Sequence, residues 1–194
     1  MEQRYTAELS STIGENCNIG NNCIIENTTV GNGVNLNNVQ AYESVIEDDV
    51  KIGPYVQLRP NSHIKKGAKI GDFVEIKNST IGEYTAVAHL TYIGDSDVGS
   101  NVNFGCGVVT VNYNGDKKFR TVIEDNAFIG CNTNPVRVGK GAYTAAGSTI
   151  TTDIPDNALA IERGRETIKE GYAEKKLKAR TEKFEAIHGK SEEK

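Results

Sequence analysis

Large side chains and long apolar runs are scarce in this sequence. It has no tryptophan, one methionine and five phenylalanines, and only 37% of its 194 residues are hydrophobic. The chain is long enough for one sizeable domain, but a core of interlocking large side chains is not what its composition supplies. No stretch approaches the roughly 20 apolar residues of a membrane-spanning helix. The N-terminus has no basic region followed by an apolar run, so neither a membrane anchor nor secretion is expected. The four cysteines, Cys17, Cys23, Cys106 and Cys131, form no C-x-x-C pair and match no zinc spacing, which predicts free thiols in a reducing cytoplasm. The net charge is −4, and no basic block precedes the C-terminal tail, so nucleic acid is a poor partner. Proline is sparse at four residues, whereas glycine reaches 20 and asparagine is frequent. That mixture suits many short strands joined by tight corners.

The strongest signal is internal repetition. Aliphatic-glycine pairs recur, among them Ile13-Gly14, Ile19-Gly20, Val30-Gly31, Ile52-Gly53, Ile70-Gly71, Ile81-Gly82 and Ile129-Gly130. Ile46, Ile52, Leu58, Ile64, Ile70 and Ile76 follow one another at strict six-residue steps, while Ile76 to Ile81 and Ile93 to Val98 are steps of five. Six fits neither the 3.6 period of an α-helix nor a long alternating strand. It fits one short strand and one corner per repeat, with three repeats closing a triangular coil of about 18 residues. The recurring aliphatic points inward and stacks on its counterpart one coil away. Asn, Asp and Gly then serve corners that demand a left-handed backbone. The repeat runs from about residue 12 to 155, roughly eight coils.

Two segments leave the repeat. Residues 111–121 carry no aliphatic ladder and contain a turn signal at Asn114-Gly115, predicting a projecting loop. Residues 166–190 turn to Glu, Lys and Ala with spaced apolar positions (Ile168, Tyr172, Leu177, Phe184 and Ile187), predicting a surface helix before a charged tail. The expected organisation is a lead-in at 1–11, a repeat domain at 12–165 and a helical tail at 166–194. Within the repeat, Arg59 follows Leu58 and Lys77 follows Ile76, one expected coil apart. Both cations therefore issue from one side of the prism, either as solvated surface charges or as a phosphate clamp.

Four motifs in order carry a more specific resemblance: Asp72-Phe-Val-Glu-Ile-Lys77, Ala88-His-Leu-Thr-Tyr-Ile-Gly-Asp95, Asn101-Val-Asn-Phe-Gly-Cys-Gly107 and Val111-Asn-Tyr-Asn-Gly115, extended by Ala145-Ala-Gly147 and Ala158-Leu-Ala-Ile-Glu-Arg163. Over most of residues 12–165 the chain resembles the C-terminal acetyltransferase domain of the bifunctional GlmU family, within the hexapeptide-repeat acyltransferases. The resemblance implies an all-β, left-handed parallel β-helix. Its hand comes from the resemblance alone, since general rules favour right-handed crossovers. It implies acetyl-CoA-dependent N-acetylation of glucosamine-1-phosphate in UDP-N-acetylglucosamine biosynthesis, by a homotrimer with sites between neighbouring prisms, and with no metal. The family's uridyltransferase domain is not expected in residues 1–11, which are too short for it.

The resemblance also assigns roles. His89 is the general base, a task suited to imidazole, which changes charge near neutrality. Alone, a histidine is more often structural, so the role rests on the His-Leu-Thr-Tyr motif. Glu75 is the family candidate for orienting the imidazole, with a plain corner carboxylate as the alternative. Arg59 and Lys77 become the phosphate clamp. Tyr92 and Asn103 contact phosphate or sugar hydroxyls, and Asn112 and Tyr113 border both ligands at the loop base. For acetyl-CoA the resemblance points to Cys106, Cys131, Ala146 and Arg163, with Lys118 and Arg163 meeting CoA phosphates. Direct transfer to an amine needs no acyl-enzyme, so both cysteines are expected to pack, not to attack.

One departure stands out. Ile129 and Val138 are nine residues apart, one and a half hexads, and Cys131 and Ala146 are 15 apart. The resemblance implies two full hexads here, so a coil is shortened near 134–135, beside the expected acetyl-CoA groove. The competing readings are a hexapeptide acetyltransferase acting on another amino-sugar or small acceptor, a zinc carbonic anhydrase of the same fold, and a structural or ice-binding β-helix. The second needs three clustered histidines, whereas His63 and His89 are not a whole number of coils apart and His188 lies in the tail. The third needs ranks of Thr-x-Thr, which are missing.

Overall fold

The computed structural model describes residues 5–7, 10–130, 132–133 and 136–188. Met1–Arg163 and Gly164–Lys194 form two separate units. In the first, short strands stack in parallel into three long sheets of six, eight and nine strands. Up to Asn103–Phe104 the chain visits the sheets in rotation, one strand on each face per coil, and later coils extend only the second and third of these long sheets; with its six-residue repeat this is the expected left-handed parallel β-helix. The first face includes Val56–Leu58, Glu75–Lys77 and Tyr92–Gly94. The second includes His63–Ile64, Thr80–Ile81 and Ser96–Val98. The third includes Lys69–Asp72, Ala86–His89 and Asn103–Phe104.

The repeat explains the core. Ile46, Ile52, Leu58, Ile64, Ile70 and Ile76 are each at most 3% exposed and lie in one continuous cluster. Each buried aliphatic contributes about 1.5–3 kcal/mol, so a narrow stack can replace a broad core. Asparagine supplies many corners with positive φ, including Asn16, Asn22, Asn61, Asn78 and Asn101, as the composition predicted. Tyr55, Phe73 and Leu90 break that pattern. All three are bulky, have φ between 45 and 59, and are more than half exposed.

The coil is not uniformly 18 residues. Register partners lie 16 apart at Asn35 and Lys51, 17 at Asn18 and Asn35, and 18 at Lys51 and Lys69. Beyond the projecting loop the interval is 25, from Val98 to Ile123. The shortened coil appears as an interval of 15, from Ile123 to Val138 and from Ile129 to Thr144. Ile129 and Val138 remain fully buried, so the second and third faces keep their ladder across the deletion. Residues 134–135, where the shortening was expected, lie outside the described residues.

Residues 111–121 form a tight hairpin. Tyr113 and Lys118 pair antiparallel, and Asn114 Oδ1 accepts the N–H groups of Asp116 and Lys117 at 3.0 and 2.8 Å. Gly115 takes the positive φ, 98°, that the turn requires. The second unit contains one α-helix, Tyr172–His188, inside the span expected from composition. Among the described residues no helix is long and apolar enough to cross a membrane.

Candidate active site

His89 ends the strand Ala86–His89 on the third face, and its side chain is exposed. Its register partner one coil earlier is Asp72, and His89 Nδ1 lies 2.8 Å from Asp72 Oδ1. A carboxylate can only accept, so Nδ1 is the donor in this contact, and in the neutral imidazole the lone pair is then on Nε2. The Asp72 carboxyl is held below the usual carboxylate range, first by the hydrogen bond from His89 and then by its own backbone N–H.

Glu75, expected to orient His89, is turned elsewhere: its Oε1 takes Arg59 Nη1 at 2.8 Å. That contact raises the Arg59 guanidinium further. Leu58 and Ile76 are register partners, so Arg59 and Lys77 fall side by side on consecutive coils, as their spacing predicted. Lys118, expected among the CoA contacts, comes to the same place from the hairpin. The Lys77 ammonium is held below its usual range chiefly by contact with Lys118, then by desolvation and by the charges of Lys118 and Arg59; Asp95 opposes the shift. Arg59, Lys77 and Lys118 thus form a cation cluster whose members repel one another, a natural seat for a phosphate dianion.

Tyr92 pairs with Glu75 in register and borders the same cluster. Gly94 makes room for its neighbours: a Cβ there would lie 2.5 Å from the Tyr92 hydroxyl and 2.7 Å from Asn112 Nδ2. Tyr92 and Asn112 therefore meet across a glycine. Asn112 donates its amide to Asp95. The Tyr113 hydroxyl closes on the hairpin, donating to Gly115 O at 2.6 Å. Asn103 is exposed on the third face, in register with Ala86. Tyr55, Phe73, Leu90, Gln57, Glu75 and Tyr92 line a groove along the first face.

Two of the residues expected to meet acetyl-CoA, Cys106 and Ala146, follow the base along one corner. Carried forward from Ala86 and Asn103, the register sets exposed Cys106 one coil beyond His89. Carried on from Phe128 and Tyr143, it brings exposed Ala146 onto the same column. Cys131 lies outside the described residues. Arg163 follows Glu162, whose N–H donates to Ser148 Oγ at 3.1 Å, and so lies at the last coil. His63 is on the second face with Nε2 2.7 Å from Glu47 Oε1, away from His89. Among the described residues no group of three or more His, Cys, Asp or Glu is arranged to hold a metal.

Sequence reasoning missed Asp72 as the partner of His89, and missed Asp95, Asn78 and Arg120 around the hairpin base. Asp72 stood within the first motif, one true coil of 17 residues before the base.

A parallel β-helix built on six-residue repeats and carrying an exposed histidine-carboxylate pair and a cation cluster defines the class. The profile described as bacterial transferase hexapeptide (six repeats) matches residues 43–78, so this part of the chain is similar to that family's repeat. The Bifunctional protein GlmU of Caldicellulosiruptor saccharolyticus is 59% identical over 157 residues, which cover 79% of this chain and 32% of that protein. The Bifunctional protein GlmU of Thermotoga maritima is 52% identical over 174 residues, covering 88% and 39%. The chain therefore spans between 32% and 39% of the length of these curated relatives. Among solved structures, a point mutant of AntD, an N-acyltransferase from Bacillus cereus in complex with dTDP and coenzyme A, aligns with a TM-score of 0.53 at 16% identity, covering 69% of this chain and 88% of that one. At that identity the likeness concerns the fold.

Proposed function

We propose that the chain transfers the acetyl group of acetyl-CoA to the amine of glucosamine-1-phosphate, releasing N-acetylglucosamine-1-phosphate and CoA for UDP-N-acetylglucosamine synthesis in the cytoplasm. The observation that carries this reading is that the chain presents both an imidazole–carboxylate pair, His89 and Asp72, and a cation cluster of Arg59, Lys77 and Lys118. The cluster takes the sugar phosphate, with Tyr92, Asn103, Asn112 and Tyr113 bordering it. His89 Nε2 accepts a proton from the amine as its nitrogen attacks the thioester carbonyl. The C–S bond then breaks, and the imidazolium returns the proton to the departing CoA sulfur. The pantetheine arm lies along the corner of Cys106 and Ala146, where small exposed side chains permit close approach, Cys131 is a further contact named by its sequence position alone, and Arg163 meets the phosphates of CoA.

The assembly is a homotrimer. Supporting this, Tyr55, Phe73 and Leu90 form an exposed ladder beside the site, with the Tyr55 and Phe73 rings stacked at 5.3 Å. The test of the function is to mix purified protein with acetyl-CoA and glucosamine-1-phosphate and follow free thiol. Turnover that collapses in His89→Ala supports it. No turnover with an intact trimer, or turnover only with an amino-sugar lacking phosphate, rejects it.

A further inference from the structure

The proposed chemistry leaves one buried carboxyl unused. Asp95 is 4% exposed, at the corner that leaves the first face. Both its oxygens are taken by side-chain amides: Oδ1 accepts from Asn78 Nδ2 and Oδ2 from Asn112 Nδ2. An acceptor-only group between them fixes both amides with their N–H side inward. Asp95 also reaches the far end of the hairpin, because its carbonyl accepts the N–H of Thr121 at 3.0 Å. One residue thus grips the loop where it departs, at Asn112, and where it returns, at Thr121.

Arg120 makes a second grip. Its Nε donates to Asp97 Oδ2 at 2.9 Å and its Nη2 to Asp97 Oδ1. Nη1 donates to Asn78 O at 3.1 Å, and Nη2 also to Ser96 O at 3.2 Å. Planar guanidinium and carboxylate make this pair geometrically specific. Between the two grips, Phe119 N–H donates to Asn112 O at 2.9 Å. Lys118 emerges from this frame beside Lys77. Two ammonium groups do not approach one another unaided, so the frame must hold them together.

We propose that Asp95 and Arg120 are positioning residues that hold the 111–121 hairpin against the coil, so that Lys118 stands beside Lys77 before an anion arrives. The anion that relieves their repulsion is the phosphate of the acceptor. The anion's identity rests on the function proposed above, whereas the holding of the hairpin does not. The arrangement is pre-organisation: the repulsion between the two cations is met in folding, and binding recovers it.

Two measurements on the full chain separate these parts. The first is amide hydrogen exchange without ligand. In Asp95→Asn and Arg120→Gln, amides of residues 111–121 exchange roughly 10- to 100-fold faster, while the coil strands are unchanged. The second is steady-state kinetics with acetyl-CoA and glucosamine-1-phosphate. KM for the sugar phosphate rises roughly 10- to 100-fold, KM for acetyl-CoA holds, and Arg120→Lys recovers part of the loss. Unchanged hairpin exchange in both variants overturns the holding role. Faster exchange with an unaltered sugar-phosphate KM overturns the link to the anion. Equal losses in kcat and both KM values, with coil exchange also faster, mark a merely structural role and overturn the proposal. An absence of turnover in the wild-type chain rejects the proposed function instead, and the exchange result still decides the hairpin.

Discussion

His89 Nδ1 lies 2.8 Å from Asp72 Oδ1, and the two residues are direct register partners on consecutive coils. The pairing is therefore set by the stacking of the helix itself and not by a flexible loop. Removing the base in His89→Ala is expected to lower kcat by roughly 10²- to 10⁴-fold. Asp72→Asn leaves the imidazole in place but no longer dictates its tautomer, and should lower kcat by roughly 10- to 100-fold. Glu75→Gln acts through Arg59 and should raise the KM for the sugar phosphate instead. Initial rates over a matrix of both substrates check this; a kcat loss in Glu75→Gln with none in Asp72→Asn would reverse the assignment.

The Lys77 ammonium titrates below its usual range, first because of Lys118. As pH rises through that lowered value, Lys77 loses its charge and its hold on phosphate. The KM for the sugar phosphate should therefore climb on the alkaline side before a free lysine would deprotonate. Lys118→Met removes the main cause, so the alkaline limb should move to higher pH even though KM at neutrality worsens. A pH series of KM in both proteins tests this, and a limb that stays in place counts against the coupling.

How much of this was legible in the sequence depended on the period. The aliphatic ladder was legible because burial repeats every six residues and nothing else produces that spacing. Arg59 and Lys77 were legible because the coil joining Leu58 to Ile76 is a full 18 residues. Asp72 was not, because the coil that ends at His89 has 17; an 18-residue step points to Gly71. One residue of corner length decided that a carboxylate, and not a glycine, met the base. Lys118 sits in a hairpin outside the repeat, where the period offers no register, so its place beside Lys77 needed the fold.

The core stack makes a plain stability prediction. Ile93 is fully buried between Tyr92 and Gly94, in register with Ile76 one coil earlier. Ile93→Ala should cost about 2–5 kcal/mol, since the coils above and below limit collapse around the void. Val45 lies on a strand of the second face but is 41% exposed. Val45→Ala should stay within about 0.5 kcal/mol. Denaturant midpoints of the two variants check the contrast, and similar losses would contradict the one-sided burial of each strand.

Arg137 joins two carboxylates on the second face, with Nη2 2.9 Å from Asp156 Oδ1 and Nε 2.8 Å from Glu124 Oε1. The Asp156 carboxyl is held below its usual range, chiefly by Arg137 and next by the Lys140 backbone N–H. A carboxyl whose folded pKa is depressed adds stability above its unfolded pKa and loses it as pH falls through the folded value. Arg137→Gln should therefore lower Tm at pH 7, and the difference from wild type should shrink once pH drops below about 4, the ordinary carboxylate range. Thermal scans from about pH 7 to about pH 3 provide the check. A difference that is constant with pH would mean that Arg137 stabilises through packing of its stem and not through its charge.

Tyr55, Phe73 and Leu90 occupy left-handed corners that cost a bulky residue about 1–2 kcal/mol each, yet all three are more than half exposed. Asparagine occupies the equivalent corner at Asn38 without that cost. A single chain thus has reason to replace Phe73, while a surface that is covered on assembly has reason to keep it. Phe73→Asn should leave the isolated chain at least as stable and should weaken the trimer, read as a shift to smaller species in sedimentation at low micromolar concentration. Activity should fall with the trimer and recover at high protein concentration. A Phe73→Asn protein that sediments like wild type would remove the ladder from the interface.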